Sequence, residues 1–194
     1  MDDMDDLDHR ILSALRAHGA DPRVASAARA LSLAGEHAAL WLATGLAGAA
    51  VDGARRGSWV RGTALVAGAH VASMGVKRVV RRARPTHVTP LVRTAGRHSF
   101  PSSHAASATA AAVALGALGA YGVRPLAAAM CLSRLVAGVH YPSDVAAGAA
   151  LGALTARLGA HWMLHGAQSA HSAHGVRPGA RSVQHGSSGE GGRP

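Results

Sequence analysis

The stretch Ser133-Arg134-Leu135-Val136-Ala137-Gly138-Val139-His140-Tyr141-Pro142-Ser143-Asp144 joins two apolar runs, Pro125–Val139 and Val145–Leu164. Arg134 lies deep inside the first run, where an unpaired charge is costly and an ionisable side chain marks a functional position. It calls for an anion. His140 ends that run, and Pro142 forces a turn or a fresh helix start. Asp144 heads the next run, near enough to accept a hydrogen bond from the His140 imidazole and so to set its tautomer and favour its charged form.

Three further apolar runs precede these two: Leu31–Val51, Val60–Val76 and Ala105–Val123. A bilayer-crossing helix takes roughly 20 mostly apolar residues. All five runs are rich in alanine and glycine, so hydropathy leaves buried helices of a soluble protein open as a second reading. The same small residues let helices approach closely in lipid. Short joints at Asp52–Trp59 and Tyr121–Arg124 fit reversals between spans. The expected fold is therefore all-α, an integral-membrane helical bundle of about five transmembrane helices over residues 31–164.

The flanking segments read differently. In residues 1–30 the apolar positions Leu7, Ile11, Leu12 and Leu15, then Val24, Ala27 and Ala28, recur at helical spacing among charges, which predicts amphipathic helices lying at an interface. The aspartate run there, with no basic segment leading into a short apolar core, does not resemble a cleaved signal peptide. Residues 165–194 consist mainly of Gly, Ser, His, Arg and Pro, a composition expected to stay disordered. Its histidines His165, His171, His174 and His185 are expected to be free of metal.

Charge narrows the function classes. The chain of 194 residues carries a formal charge of +10, which invites an anionic membrane or a nucleic acid as partner. Six of the ten acidic residues fall in the first 21 positions, and between Gly53 and Gly189 the one carboxylate is Asp144. A carboxylate-built metal site is thereby disfavoured, and the expectation is no metal and no cofactor. The lone Cys131 allows no intramolecular disulfide.

Two more polar clusters stand at the edges of the apolar runs. Lys77-Arg-Val-Val-Arg-Arg-Ala-Arg84-Pro85 places five cations in eight residues; alone it would pass for a stop-transfer patch or a nucleic-acid contact. Phe100-Pro-Ser-Ser-His104 precedes an apolar helix, whose N-terminal amides and dipole favour an anion. Combined with the first cluster, these supply what phosphoryl transfer from a monoester needs: cations for the equatorial oxygens, an in-line nucleophile, and an acid for the leaving oxygen. Lys77, Arg84 and Arg134 are then expected to hold phosphate charge, with the Ser102 and Ser103 amides as further donors. His104 protonates the leaving alkoxide and His140 attacks phosphorus.

The three clusters, as Lys77/Arg84/Pro85, Pro101/Ser102/His104 and Ser133/Arg134/His140/Asp144, resemble the signature of the type 2 phosphatidic-acid phosphatase superfamily, Lys-x6-Arg-Pro, Pro-Ser-x-His and Ser-Arg-x5-His-x3-Asp. Ser103 departs from it, standing where glycine is usual. The resemblance implies a membrane-facing active site, a phosphohistidine on His140, an acid at His104 and no metal. Within that superfamily, Leu31-Ser-Leu-Ala-Gly-Glu36-His37 and the compact size look most like the actinobacterial decaprenylphosphoryl-5-phosphoribose phosphatases of cell-wall arabinan precursor synthesis. Glu36 and His37 would then be second-layer or substrate-contacting residues, or a polar pair at the interface.

The expected partners are a lipid-linked phosphate and membrane lipids, the expected location a multi-pass place in the plasma membrane. Polyprenyl diphosphate, phosphatidylglycerophosphate and phosphatidate are alternative substrates. A nucleic-acid protein using Arg78–Arg97 would leave the apolar runs and the His140/Asp144 cluster without a purpose, so no nucleic acid is expected. An inactive membrane scaffold is argued against by the intact clusters. The positive-inside rule does not orient the site, because Lys77 and Arg84 serve chemistry and the N-terminal arginines sit among aspartates.

Overall fold

Pro22 and Asp21 show how directly the local sequence writes the helices. Asp21 Oδ1 accepts from the amides of Arg23 at 2.7 Å and Val24 at 3.4 Å, and proline occupies the first helical turn. The computed structural model describes residues 2–94 and 96–165, which form eight α-helices. These are α1 (Asp2–Ala17), α2 (Pro22–Ala34), α3 (Ala39–Val51), α4 (Arg56–Val80), α5 (Ser103–Ala117), α6 (Val123–Val136), α7 (Pro142–Leu158) and α8 (Ala160–His165). Among the described residues there is no strand, only an isolated bridge between Ala83 and His98.

Helix α5 is the axis of the bundle and packs on α4, α6 and α7. Its alanines Ala105, Ala106, Ala108, Ala110, Ala111 and Ala114 are all buried. Gly148 and Gly152, one turn apart on α7, face its backbone: a Cβ on either would run into the carbonyl oxygen of Ser102 or of Ala106. Small residues on both sides thus let α5 and α7 approach backbone to backbone. Trp41, Val66, Leu115, Met130 and Met163 fill the remaining core.

The five expected spans correspond to α3, α4, α5, α6 and the pair α7–α8, with two interruptions. Leu31–Val51 breaks at the turn Glu36–Ala38, where His37 (φ 52°) and Ala38 (φ 62°) take left-handed backbone. Val145–Leu164 breaks at Gly159. Among the described residues no helix is long and apolar enough to cross a membrane. Length and composition both contribute: α3, α5, α6 and α7 have 13, 15, 14 and 17 residues, short of the roughly 20 that a span takes, and the longest helix, α4 with 25 residues, carries Arg56, Arg61, His70, Lys77 and Arg78.

Helix α1 departs from a purely interfacial reading. It packs against α6 and α7, burying Leu12 and Asp8 while Met4, Leu7 and Ile11 remain exposed. From residue 166 onward the tail lies outside the described residues, including His171, His174 and His185; His165 ends α8.

Candidate active site

Four elements and a folded-back link converge on one cavity of about 430 Å³. The link between α4 and α5 is pinned across it. Ser99 N donates to Arg82 O at 2.8 Å, Leu91 N to Ala137 O at 2.9 Å, and Arg16 Nε to Thr89 O at 2.8 Å. Lys77, Arg84, Ser103, His104, Arg134 and His140 all line the cavity, so residues 63 positions apart in sequence (77 to 140) share one space.

The three cations are held by neutral groups. Lys77 Nζ points at the carbonyls of His98 (3.4 Å) and Ser99 (3.3 Å). Arg84 Nε donates to Gly96 O and its Nη1 to Val139 O, both at 2.8 Å. Arg134, 2% exposed, donates through Nη1 to Ser32 Oγ at 2.5 Å and leaves a buried Nε with no partner. Among the described residues, no carboxylate forms an ion pair with any of the three. A cluster of largely desolvated positive charge without a carboxylate in contact favours an anion.

His140 is buried against this cluster at a sharp exit from α6, where Gly138 (φ 70°) adopts the backbone that glycine permits most easily. Its Nδ1 lies 3.6 Å from Asp144 Oδ2, just beyond hydrogen-bond length, and has no other partner. That contact assigns the Nδ1 proton to the Asp144 side and leaves Nε2 for the cavity. Burial pushes the His140 imidazole down to about 4; Asp144 works against this, while Arg84, Arg134 and Lys77 add to it. The ring is therefore neutral at physiological pH, which leaves the Nε2 lone pair free.

Asp144 is fully buried, and its carboxylate is held by the Tyr141 amide at 2.8 Å on Oδ2 and by Arg82 Nη1 at 3.2 Å on Oδ1. Burial alone would raise its pKa, but His140, the Tyr141 amide and Arg82 together hold it below the usual range. His104 Nε2 lies 3.2 Å from Ser32 O, which leaves Nδ1 as the ring atom able to pass a proton into the cavity.

The serine pair divides. Ser103 lines the cavity, whereas Ser102 is fully buried, caps α5 through Ala105 N at 3.4 Å, and commits its own amide to Asp144 O at 2.9 Å. The Ser102 amide expected to serve phosphate instead ties the α5 start to the α7 start. Glu36 and His37 both line the mouth of the cavity on the left-handed turn. Ser32 and Arg82 had no signal of their own: the first is one serine on an amphipathic helix, the second one of five neighbouring cations. Only tertiary contact with Arg134 and with Asp144 singles them out. Among the described residues no group of three His, Cys, Asp or Glu side chains is arranged as metal ligands.

Comparison with known proteins places this arrangement. The chain is 50% identical over 130 residues to the decaprenylphosphoryl-5-phosphoribose phosphatase of Mycolicibacterium smegmatis, covering 66% of this chain and 72% of that protein. It is 46% identical over 135 residues to the protein of that name from Mycobacterium tuberculosis, covering 68% and 76%. A crystal structure of a PAP2-type phosphatidylglycerolphosphate phosphatase from Bacillus subtilis superimposes with a TM-score of 0.48 at 20% identity, covering 82% of this chain and 95% of that one. Residues 59–166, more than half of the chain and holding all three polar clusters, match the PAP2 superfamily, and to that superfamily the protein belongs.

Proposed function

We propose that this chain is a lipid-phosphate phosphatase that hydrolyses the phosphomonoester of decaprenylphosphoryl-5-phosphoribose, through a phosphohistidine on His140 and without a metal. The observation that carries the reading is the set of three cations, Lys77, Arg84 and Arg134, none of them in an ion pair among the described residues, gathered around the neutral buried His140 that faces Asp144. The choice of lipid rests on the relatives of that name, at 46–50% identity.

The geometry supports the following chemistry. Lys77, Arg84 and Arg134, with the Ser103 amide, take the phosphoryl oxygens and disperse their charge in the transition state. His140 Nε2 attacks phosphorus, and the bond to the ribose oxygen breaks. His104 gives that oxygen a proton. Burial, with Arg134 adding to it, pushes His104 down to about 3; acting as the acid requires the ring to take up a proton with the substrate, which the negative charge of the phosphate favours. Asp144 balances the positive charge on the phosphorylated imidazole. Water, deprotonated by His104, then attacks phosphorus, the P–N bond breaks, and inorganic phosphate leaves with His140 restored.

A multi-pass place in the plasma membrane completes the proposal. Its support is the exterior, where Leu46, Val51, Val60, Val71, Val79, Leu132, Leu154 and Leu158 stand exposed on α3, α4, α6 and α7. The test is phosphate release by the detergent-solubilised protein in EDTA, from decaprenylphosphoryl-5-phosphoribose and from phosphatidylglycerophosphate. The ribose lipid should be preferred by at least about tenfold in kcat/KM, a difference of about 1.4 kcal/mol in transition-state binding. His140→Ala should abolish turnover, and trapped label should sit on His140. Loss of activity in EDTA, or label on a serine, overturns the mechanism; equal rates on both lipids overturn the substrate.

A further inference from the structure

We propose that Asp8, on the N-terminal helix α1, positions the Asp144 carboxylate against His140 by acting through Arg82 and Ser143. The inference rests on the reading of His140 as nucleophile. Asp8 lies outside residues 59–166, the part that matches the superfamily.

Arg82 is the centre of the arrangement. Its Nη1 donates to Asp144 Oδ1 at 3.2 Å and to Ser143 Oγ at 2.6 Å, and its Nη2 to Asp8 Oδ2 at 2.9 Å and to Asp5 Oδ1 at 3.1 Å. Asp8 closes the loop by accepting from the Ser143 amide at 2.9 Å on Oδ1 and from the Ser143 hydroxyl on Oδ2. The Tyr141 ring lies under the guanidinium, 4.1 Å from Cζ to the centroid. Asp8 is 4% exposed, whereas its neighbouring acids Asp3, Asp5 and Asp6 are exposed. A carboxylate is not buried in that way unless its partners repay the desolvation.

Charge balance explains why Arg82 has further carboxylates besides Asp144. Arg82 alone beside Asp144 would cancel the charge that His140 needs. With Asp8 and Asp5 on the far side of the same guanidinium the cluster stays net negative; Asp8, at 5% side-chain exposure against 55% for Asp5, is the less screened of the two, and the planar fork fixes the plane of Asp144. Asp8 also clamps the Ser143 amide at the first turn of α7, so that α1 sets the height of Asp144 above the His140 ring. The groups bearing on His140 are then Lys77 from α4, Arg84 from the link, His104 from α5, Arg134 from α6 and Asp144 from α7. Asp8 acts on it at one remove.

Two readouts on the full chain test this. Histidine-selective NMR follows the titration of His140 without any substrate. Asp8→Asn strips a negative charge from behind Asp144 and should lower the His140 midpoint by about half a pH unit, whereas Arg82→Gln should raise it by a similar amount. A merely structural tie would not move it in opposite directions. In turnover, Asp8→Asn should cut kcat roughly tenfold with KM within about twofold, while Asp6→Asn, an exposed acid on the same helix paired with Arg10, should leave both unchanged. Should Asp8→Asn fail to fold, Ser143→Ala, which loosens the clamp without altering charge, should still lower kcat several-fold.

An unmoved His140 midpoint in both charge variants overturns the proposal, as does a kcat for Asp8→Asn or Ser143→Ala equal to wild type. If the wild-type protein releases no phosphate from the lipid, the functional reading fails, and the histidine titration still decides whether Asp8 governs Asp144.

Discussion

Arg134→Met separates stability from activity with opposite signs. In the native protein Arg134 is 2% exposed, makes one side-chain hydrogen bond, to Ser32 Oγ at 2.5 Å, and leaves Nε without a partner. Burying an ion with so little compensation costs several kcal/mol, while one hydrogen bond to a charged group returns about 1.5–3 kcal/mol. Methionine has similar length, no charge and the flexibility to fill the space. The substitution should therefore be neutral or raise the unfolding free energy by about 1–2 kcal/mol, measured by chemical denaturation in detergent. Activity should move the other way. Loss of one charged donor to the transition-state oxygens should cost on the order of 10²–10³ in kcat, or about 3–4 kcal/mol.

A third measurement joins the two. Orthovanadate at about 100 times its dissociation constant should stabilise the wild type by about 2.7 kcal/mol and the variant by much less at the same concentration. Destabilisation by more than about 2 kcal/mol would refute the reasoning, because it would make Arg134 a structural group whose charge is satisfied. So would a kcat within tenfold of wild type.

Other expectations follow from the same contacts. Asp144→Asn keeps the shape of the side chain but removes the charge opposite His140 Nδ1, and should lower kcat by on the order of 10³ in a steady-state phosphate-release assay. Gly152→Val would drive a branched side chain into the Ala106 carbonyl on α5, so thermal unfolding should report a loss of about 1–3 kcal/mol. Because His140 is held neutral down to about 4 against an ordinary value near 6.5, the unfolded chain binds an extra proton between those values. Stability should be full above that window and fall as pH drops from 6.5 towards 4, and His140→Gln should flatten that dependence.

Local chemistry was readable from the residues because it is written in short range. Pro142 announces a fresh helix start and Pro101-Ser102-Ser103 the start of α5, each through backbone preferences that act over one turn. The expectation of a phosphate site came from the residues in the same way, since a cation placed in an apolar run calls for an anion. Helix lengths were less accessible. The left-handed turn at His37–Ala38 and the break at Gly159 divide what the sequence offers as single runs; the Glu36-His37 pair and Gly159 stand at those places, but in Ala/Gly-rich segments neither a polar pair nor a glycine by itself decides whether a helix ends.

What the sequence determined by itself is the set of groups and their spacing within each cluster: Lys77 with Arg84, Ser102 with His104, and Arg134 with His140 and Asp144. Only the tertiary structure decided which of those groups face the cavity. It turned Ser103 inward and spent the Ser102 amide on Asp144. It drew Ser32 to Arg134 across 102 positions and Asp8 to Ser143 across 135. Contacts of that range depend on how closely helices pack, and here the packing is set by glycine and alanine faces, which carry no chemistry of their own and so leave no mark in a motif.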